Sequence, residues 1–413
     1  MRGPRPHNPM PESRYEVLAL FTTAMVGASI FIVSTGALAP YFRSALHLGQ
    51  TQLGLVLSIQ LLGSVAMTSV AGLLTDRYGD KAIVFWSGTL MGVSLFAASL
   101  VANYIWLMLW LFVYGIGYAA VTPAGSHAVI FFFDKAHRGF AMGVRQCGVP
   151  IAGLLGSIAL PAVAAHFQYR GALATAGAVT ILGAWTASSL YREPRELQGE
   201  RASMRAMFAG MLQIARETRL ILLTITSMVL IYGQFALIGF FTLTLVRQAG
   251  YALPLAVGLF SLSQAAAIAG RVSWGWISDH VFGGSRTLPL ALVCGVVAFI
   301  ALAISDLRPP TPPAEAALLA VALGFCGEGW FGLAVIGFAE IGGEEHSGSA
   351  LGVGLTWSLF AAMLTPALFG AVAQSHGIAV AWRYLAAVEA IGIVPAVLGA
   401  SVIVRRLGRD RLP

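Results

Sequence analysis

Arg145, Arg271 and Glu328 stand in stretches that otherwise hold little besides Ala, Gly, Leu, Ile, Val and Phe. An ionisable group in hydrocarbon costs at least a few kcal/mol, so each of the three is a candidate for function. Arg271 has the most informative setting. Ser261, Gln264 and Arg271 recur at three- and seven-residue spacing, which lays one polar stripe along an apolar helix. A guanidinium on that stripe presents a planar fork that a carboxylate can meet with two parallel hydrogen bonds. Structural pairing between helices is the competing use. Glu328, in Gly-Phe-Cys-Gly-Glu328-Gly-Trp, is flanked by glycines that would admit another helix or water. A lone carboxyl there suits proton uptake. The plainer alternative is a salt bridge to Arg271 or Arg145, and protonation of such a pair would release the arginine to an anion. Arg145 lies in Gly143-Val-Arg145-Gln146-Cys-Gly148-Val-Pro150 and offers a second anion contact, unless it snorkels to the surface. His127 is a further proton site or a simple helix contact. Gln146, Tyr118, Gln234 and Trp357 complete the candidate cavity lining, although residues of these types more often serve packing.

What must position these groups follows from composition. Of 413 residues, 57% are hydrophobic and 10% charged, against roughly 25% charged in soluble domains. Such a surface is stable only where much of it faces lipid. Apolar runs long enough to cross a bilayer fall at 16–42, 52–75, 82–101, 105–132, 139–164, 171–191, 218–246, 254–278, 287–305, 315–339, 347–373 and 380–404. The expected order is a tail at 1–15, six helices within 16–191, a charged linker at 192–217, six more within 218–404, and a tail at 405–413. With both termini inside, eighteen of the 25 Lys and Arg residues fall on the cytoplasmic side and five (Arg43, Arg170, Arg247, Arg308, Arg383) outside. The net charge of +7 therefore reads as membrane orientation, and no nucleic-acid partner is expected. No cleavable leader is expected at the polar, proline-rich start. Part of the linker, 204–216, has the pattern of an amphipathic helix lying on the membrane surface. The three cysteines fit no metal spacing, and no nucleotide loop, nucleophile elbow or zinc pattern is present. Neither cofactor nor metal is expected, and no enzyme chemistry.

The halves repeat. Tyr114–Gly117 and Ala141–Val144 align without gaps on Leu323–Cys326 and Ala350–Val353, at an offset of 209 residues in both places. Between the second and third runs stands Gly72-Leu-Leu-Thr-Asp76-Arg77-Tyr-Gly79-Asp80-Lys81, and the second half carries Gly275-Trp-Ile-Ser-Asp279-His. The first of these resembles the signature loop of the major facilitator superfamily, with Asp80 departing from its basic position. The resemblance covers nearly the whole chain. It implies an all-α membrane protein of twelve helices in two pseudo-symmetric six-helix bundles, working as a monomer by alternating access. It implies a gating role for Gly72, Asp76, Arg77, Gly79, Lys81, Gly275 and Asp279, with Asp76 capping a neighbouring helix. Arg271 in the eighth run is similar to the carboxylate-carrying branches, the oxalate and monocarboxylate transporters, although the eleventh run lacks the lysine of the former. The expectation is a proton-coupled carrier of small organic anions in a bacterial inner membrane. The alternative is a drug–proton exporter of cations or neutral lipophiles.

Overall fold

A computed structural model describes residues 11–48, 50–194, 204–309 and 311–409. Among them every regular element is a helix. In hydrocarbon a backbone must satisfy its own hydrogen bonds, and a helix does so within one segment. The elements are α1 (Pro11–Leu46), α2 (Gln50–Leu100), α3 (Tyr104–Tyr118), α4 (Pro123–Phe132), α5 (Arg138–Gln146), α6 (Gly148–Leu190) and α7 (Met204–Ile214). They continue with α8 (Thr218–Arg247), α9 (Leu253–His280), α10 (Thr287–Ser305), α11 (Pro313–Leu323), a π-helical turn (Gly324–Glu328), α12 (Phe331–His376) and α13 (Ile378–Arg409).

Ten helical runs among the described residues are long and apolar enough to cross a bilayer, and two of them cross twice. The run Gln52–Leu100 turns back at Gly79, and Arg138–Leu190 at Gln168, which makes twelve spans. At Gly79 the backbone sits at φ 81°, ψ 166°, and a Cβ there would strike the Glu193 carboxylate, so glycine is required. The surface bears out the composition. Trp86, Ile158 and Phe299 are at least two-thirds exposed, which water would not tolerate at this density but lipid does.

α1 packs on α6 and α2 on α3 and α6, forming one bundle; α10 packs on α13 and α12 on α8, forming the other. Edge-to-face pairs, Phe31 with Tyr114 and Phe369 with Trp382, fill the two interiors. The bundles meet along two seams, α2 against α12 and α5 against α9.

Two expected spans are interrupted. The fourth breaks at Ala119–Gly125, where Pro123 lacks an N–H and Gly125 takes φ 63°. The tenth contains the π-helical turn, whose inserted residue re-aims the side chains that follow it.

Candidate functional site

Both seams are built from glycine. A Cβ on Gly72 would lie 2.1 Å from the Gly348 carbonyl oxygen, and one on Gly275 2.2 Å from that of Gly139. Such contacts let backbones approach in lipid, where no hydrophobic force drives helices together. One turn further along, each motif aspartate caps the helix it meets. Asp76 accepts from the backbone N–H of Gly348 and of Ser349, both at 2.8 Å, and from Ser349 Oγ. Asp279 accepts from Phe140 N–H at 3.0 Å and is paired with Arg286. Carboxylates at helix N-termini meet free N–H donors and the positive end of the helix dipole.

The rest of the motif face is held by Arg286, which follows the second motif copy, and by partners outside both motifs. Arg286 forks onto Glu340, donating to its two oxygens at 3.0 and 2.9 Å. Burial opposes the charge of Arg286, but its bonds to Glu340 and Asp279 prevail and hold its pKa above the usual arginine value. Glu193 accepts from Asp80 N–H at 2.8 Å, Lys81 donates to the Tyr191 carbonyl at 3.2 Å, and Arg77 lies over the Tyr78 ring. Reading these partners needs the tertiary fold, because they come from the ends of other spans.

An isosteric change at the cap should be visible without any substrate. Asp76→Asn keeps an acceptor but loses the charge, which at a partly buried helix N-terminus is worth up to about 2 kcal/mol. Cys147 lies on the other seam, its thiol 3.5 Å from the Ile268 carbonyl. In a background with Cys294→Ala and Cys326→Ala, Asp76→Asn should label Cys147 with maleimide about tenfold faster. An unchanged rate would show that the cap does not hold the seam.

Deeper along the α5–α9 seam lie the candidate binding residues. Arg271 is 2% exposed and donates from Nη1 to the Gln146 carbonyl across the seam at 3.0 Å. Its guanidinium sits 5.8 Å from the centre of the Phe331 ring, within cation–π range. Its Nε has no acceptor, and among the described residues it forms no ion pair. The side-chain amide of Gln146 is fully buried with both ends unpartnered. Glu328 acts electrostatically on Arg271, and its Oε1 accepts from Gln264 Nε2 at 2.6 Å. The salt-bridge alternative for Glu328 is therefore not what the structure holds. Tyr118 also lies within electrostatic reach of Arg271, with its hydroxyl 3.4 Å from Ser29 Oγ.

Glycine and the π turn make this convergence. A Cβ on Gly324 would meet the Ser263 carbonyl at 1.9 Å, and one on Gly270 the Phe325 carbonyl at 2.2 Å. The ninth helix therefore lies directly on the π turn. A π turn loosens the regular carbonyl ladder, and here the Phe325 carbonyl accepts from Trp274 Nε1 at 3.1 Å. Glu328 closes that turn and faces Gln264.

Other candidates lie elsewhere. Arg145 turns away from Arg271 into its own bundle, donating to the Val121 carbonyl at 2.6 Å and to Ser126 Oγ at 2.9 Å. Val121 would bond Gly125 N–H in a continuous helix, and the break removes that donor. Arg145 thus repairs the broken fourth span, and it neither snorkels nor reaches the Arg271 group. Trp357 is 53% exposed in a stripe with Phe360, Leu364 and Leu368, an apolar surface of the lipid-facing kind. Gln234 is buried on α8 with its amide oxygen unpartnered. His127 belongs to α4, but its side chain lies outside the described residues.

All hydrogen bonds between the bundles, among the described residues, lie in the half of the molecule nearest the motif loops. Against the far end of α1, by contrast, opens a cavity of about 810 Å³ lined by Gly36, Pro40, Arg43, His47 and Leu53.

Comparison with known proteins agrees with this geometry. An uncharacterised MFS-type transporter of Mycobacterium tuberculosis is 25% identical over 93% of this chain and 85% of its own. A probable sulfoacetate transporter of Cupriavidus necator is 24% identical over 89% of each chain. Among solved structures, the Escherichia coli fucose:proton symporter FucP in an outward conformation superposes with TM-score 0.75 at 16% identity, covering 94% of this chain and 99% of that one. The family model described as Major Facilitator Superfamily matches residues 19–339, and with the twelve spans, two bundles and paired glycine–aspartate motifs in place, the chain belongs to that superfamily of transporters.

Proposed function

We propose that the protein is a secondary active transporter of small organic anions, carboxylates first, that couples their movement to protons by alternating access. The carrying observation is Arg271, a buried guanidinium that makes no direct ion pair among the described residues, has a free Nε and feels the Glu328 carboxylate only at a distance, beside the unpartnered Gln146 amide. Leaving a cation buried without an anion is costly, and a substrate carboxylate relieves that cost. The relative named for sulfoacetate, itself an anion, supports the charge sign.

In this reading substrate and gate share one group. The Arg271 bond to Gln146 is one of the ties between the bundles. A carboxylate that takes the fork removes that tie and so favours opening on the motif face. Glu328 supplies the proton site; neutralising it leaves Arg271 to the anion alone. With the basic loops inside the cell, the motif face is cytoplasmic, and the structure is the state closed inward. Gln264, Gln146 and Tyr118 orient the cargo, while Arg145 supports the broken fourth span that carries Tyr118.

The test is thermal stabilisation of the purified protein by a panel of carboxylates, inorganic anions and lipophilic cations at acidic and neutral pH. Ligand at about 100 times its dissociation constant stabilises the folded state by about 2.7 kcal/mol. Carboxylate hits that strengthen at acidic pH are expected. Glu328→Gln should keep the hits and flatten their pH dependence, since the amide can still face Gln264 without titrating. Hits among cations alone would overturn the anion reading in favour of the drug exporter.

A further inference from the structure

The linker helix α7 lies across the α2–α12 seam. Met211 is buried against Leu73 of α2 and Val353 of α12, the neighbours in sequence of the seam glycines Gly72 and Gly352. Gly210 lies against the His346 ring, where even a methyl would come within 3.3 Å, and Ile214 packs on the main core. These three residues form the inner face of the helix.

Its outer face is uncovered and carries large apolar side chains. Phe208 and Leu212, one turn apart, are 51% and 48% exposed. Arg205 is exposed on the same face, and Arg216 is exposed two residues past the end of the helix. An apolar pair flanked by arginines is the pattern of a helix lying in the boundary between lipid headgroups and acyl chains. The seam it covers runs between two membrane spans, where lipid borders the protein.

We infer that α7 is a latch held by anionic lipid: Phe208 and Leu212 enter the membrane interface, Arg205 and Arg216 meet headgroup phosphates, and Met211 is thereby kept in the seam. Only the closed seam gives Met211 both Leu73 and Val353, so whatever holds α7 in place favours the closed state. The occupant is the bilayer leaflet rather than a protein, because the helix already belongs to a membrane-spanning chain and its charges match an anionic surface. Each arginine near such a surface is worth about fivefold in occupancy. The inference stands whatever the cargo is.

The test uses the full-length protein in vesicles of phosphatidylcholine alone or with phosphatidylglycerol, read by amide hydrogen exchange. The Gly348 and Ser349 amides report the gate directly, because they donate to Asp76. Phosphatidylglycerol should slow exchange at 204–214 and at 346–352 by about fivefold or more. Phe208→Ser with Leu212→Ser should remove both responses. Met211→Ser should keep the slowing at 204–214 and lose it at 346–352. Unchanged exchange at 287–305 shows that each variant is folded. Equal exchange in the two vesicle types would overturn the lipid contact. A gate response that survives Met211→Ser would overturn the latch.

Discussion

Gly72→Val should leave both bundles folded and abolish transport. The obstacle to a side chain at this position is the backbone of Gly348, 2.1 Å from where the Cβ would sit, and a carbonyl oxygen cannot rotate aside as a side chain can. Overpacking of this kind costs about 1–3 kcal/mol even where side chains can adjust. Gly72 and Gly348 belong to different bundles, so the strain falls on their meeting and spares the packing inside each. The carrier is then held open on the motif face and cannot complete its cycle. Gly275→Val should do the same on the other seam through Gly139, whereas Gly54→Val, where nothing lies within 4 Å of the new Cβ, should transport normally. The check is counterflow in vesicles together with maleimide labelling of Cys147, which should become fast in both seam variants. Normal transport by Gly72→Val would mean that the seam never closes tightly during turnover.

The parts that sequence made legible share a physical cause. Apolar runs mark spans because the bilayer fixes their length, and the Gly72–Asp76 and Gly275–Asp279 motifs mark the seams because close approach and capping admit few residue types. Gln264, Arg271 and Glu328 were found because polar groups are rare in such helices. What sequence hid depends on where a side chain goes after it leaves its helix. Arg145 and Arg271 look alike as arginines in apolar runs, yet one serves a broken backbone and the other does not. The break itself was signalled by Pro123 and Gly125, and an arginine in the next span could have been set against the carbonyl they strand. Trp357 is 53% exposed beside Phe360, Leu364 and Leu368, and an aromatic residue on such an apolar stripe carries the same local signal as one lining a cavity. Glu193 and Glu340 fall in loops and span ends where acids are common, so only their contacts distinguish them.

Arg271→Lys should weaken substrate binding about tenfold to a hundredfold while hardly moving the melting temperature of the empty protein. The two-fold repeat supplies the argument. Gly72 and Asp76 recur as Gly275 and Asp279, an offset of 203 residues, and at that offset Arg271 corresponds to Thr68. Each packs on the equivalent glycine of the facing helix: a Cβ on Gly143 would meet the Arg271 carbonyl, and one on Gly352 the Thr68 carbonyl. The Thr68 hydroxyl merely bonds back to the Ser64 carbonyl of its own helix. One seam therefore closes around a threonine, and the guanidinium on the other is not demanded by packing. Lysine keeps the charge beside Glu328 and a donor for the Gln146 carbonyl, so the empty state retains what it has. What lysine lacks is the fork, and one charge-assisted hydrogen bond to a carboxylate is worth about 1.5–3 kcal/mol. Calorimetric titration of whichever carboxylate stabilises the wild type measures the loss, and a melting scan without ligand separates binding from folding. A variant that melts early and binds normally would return Arg271 to a structural role and leave the Gln146 amide as the remaining candidate contact.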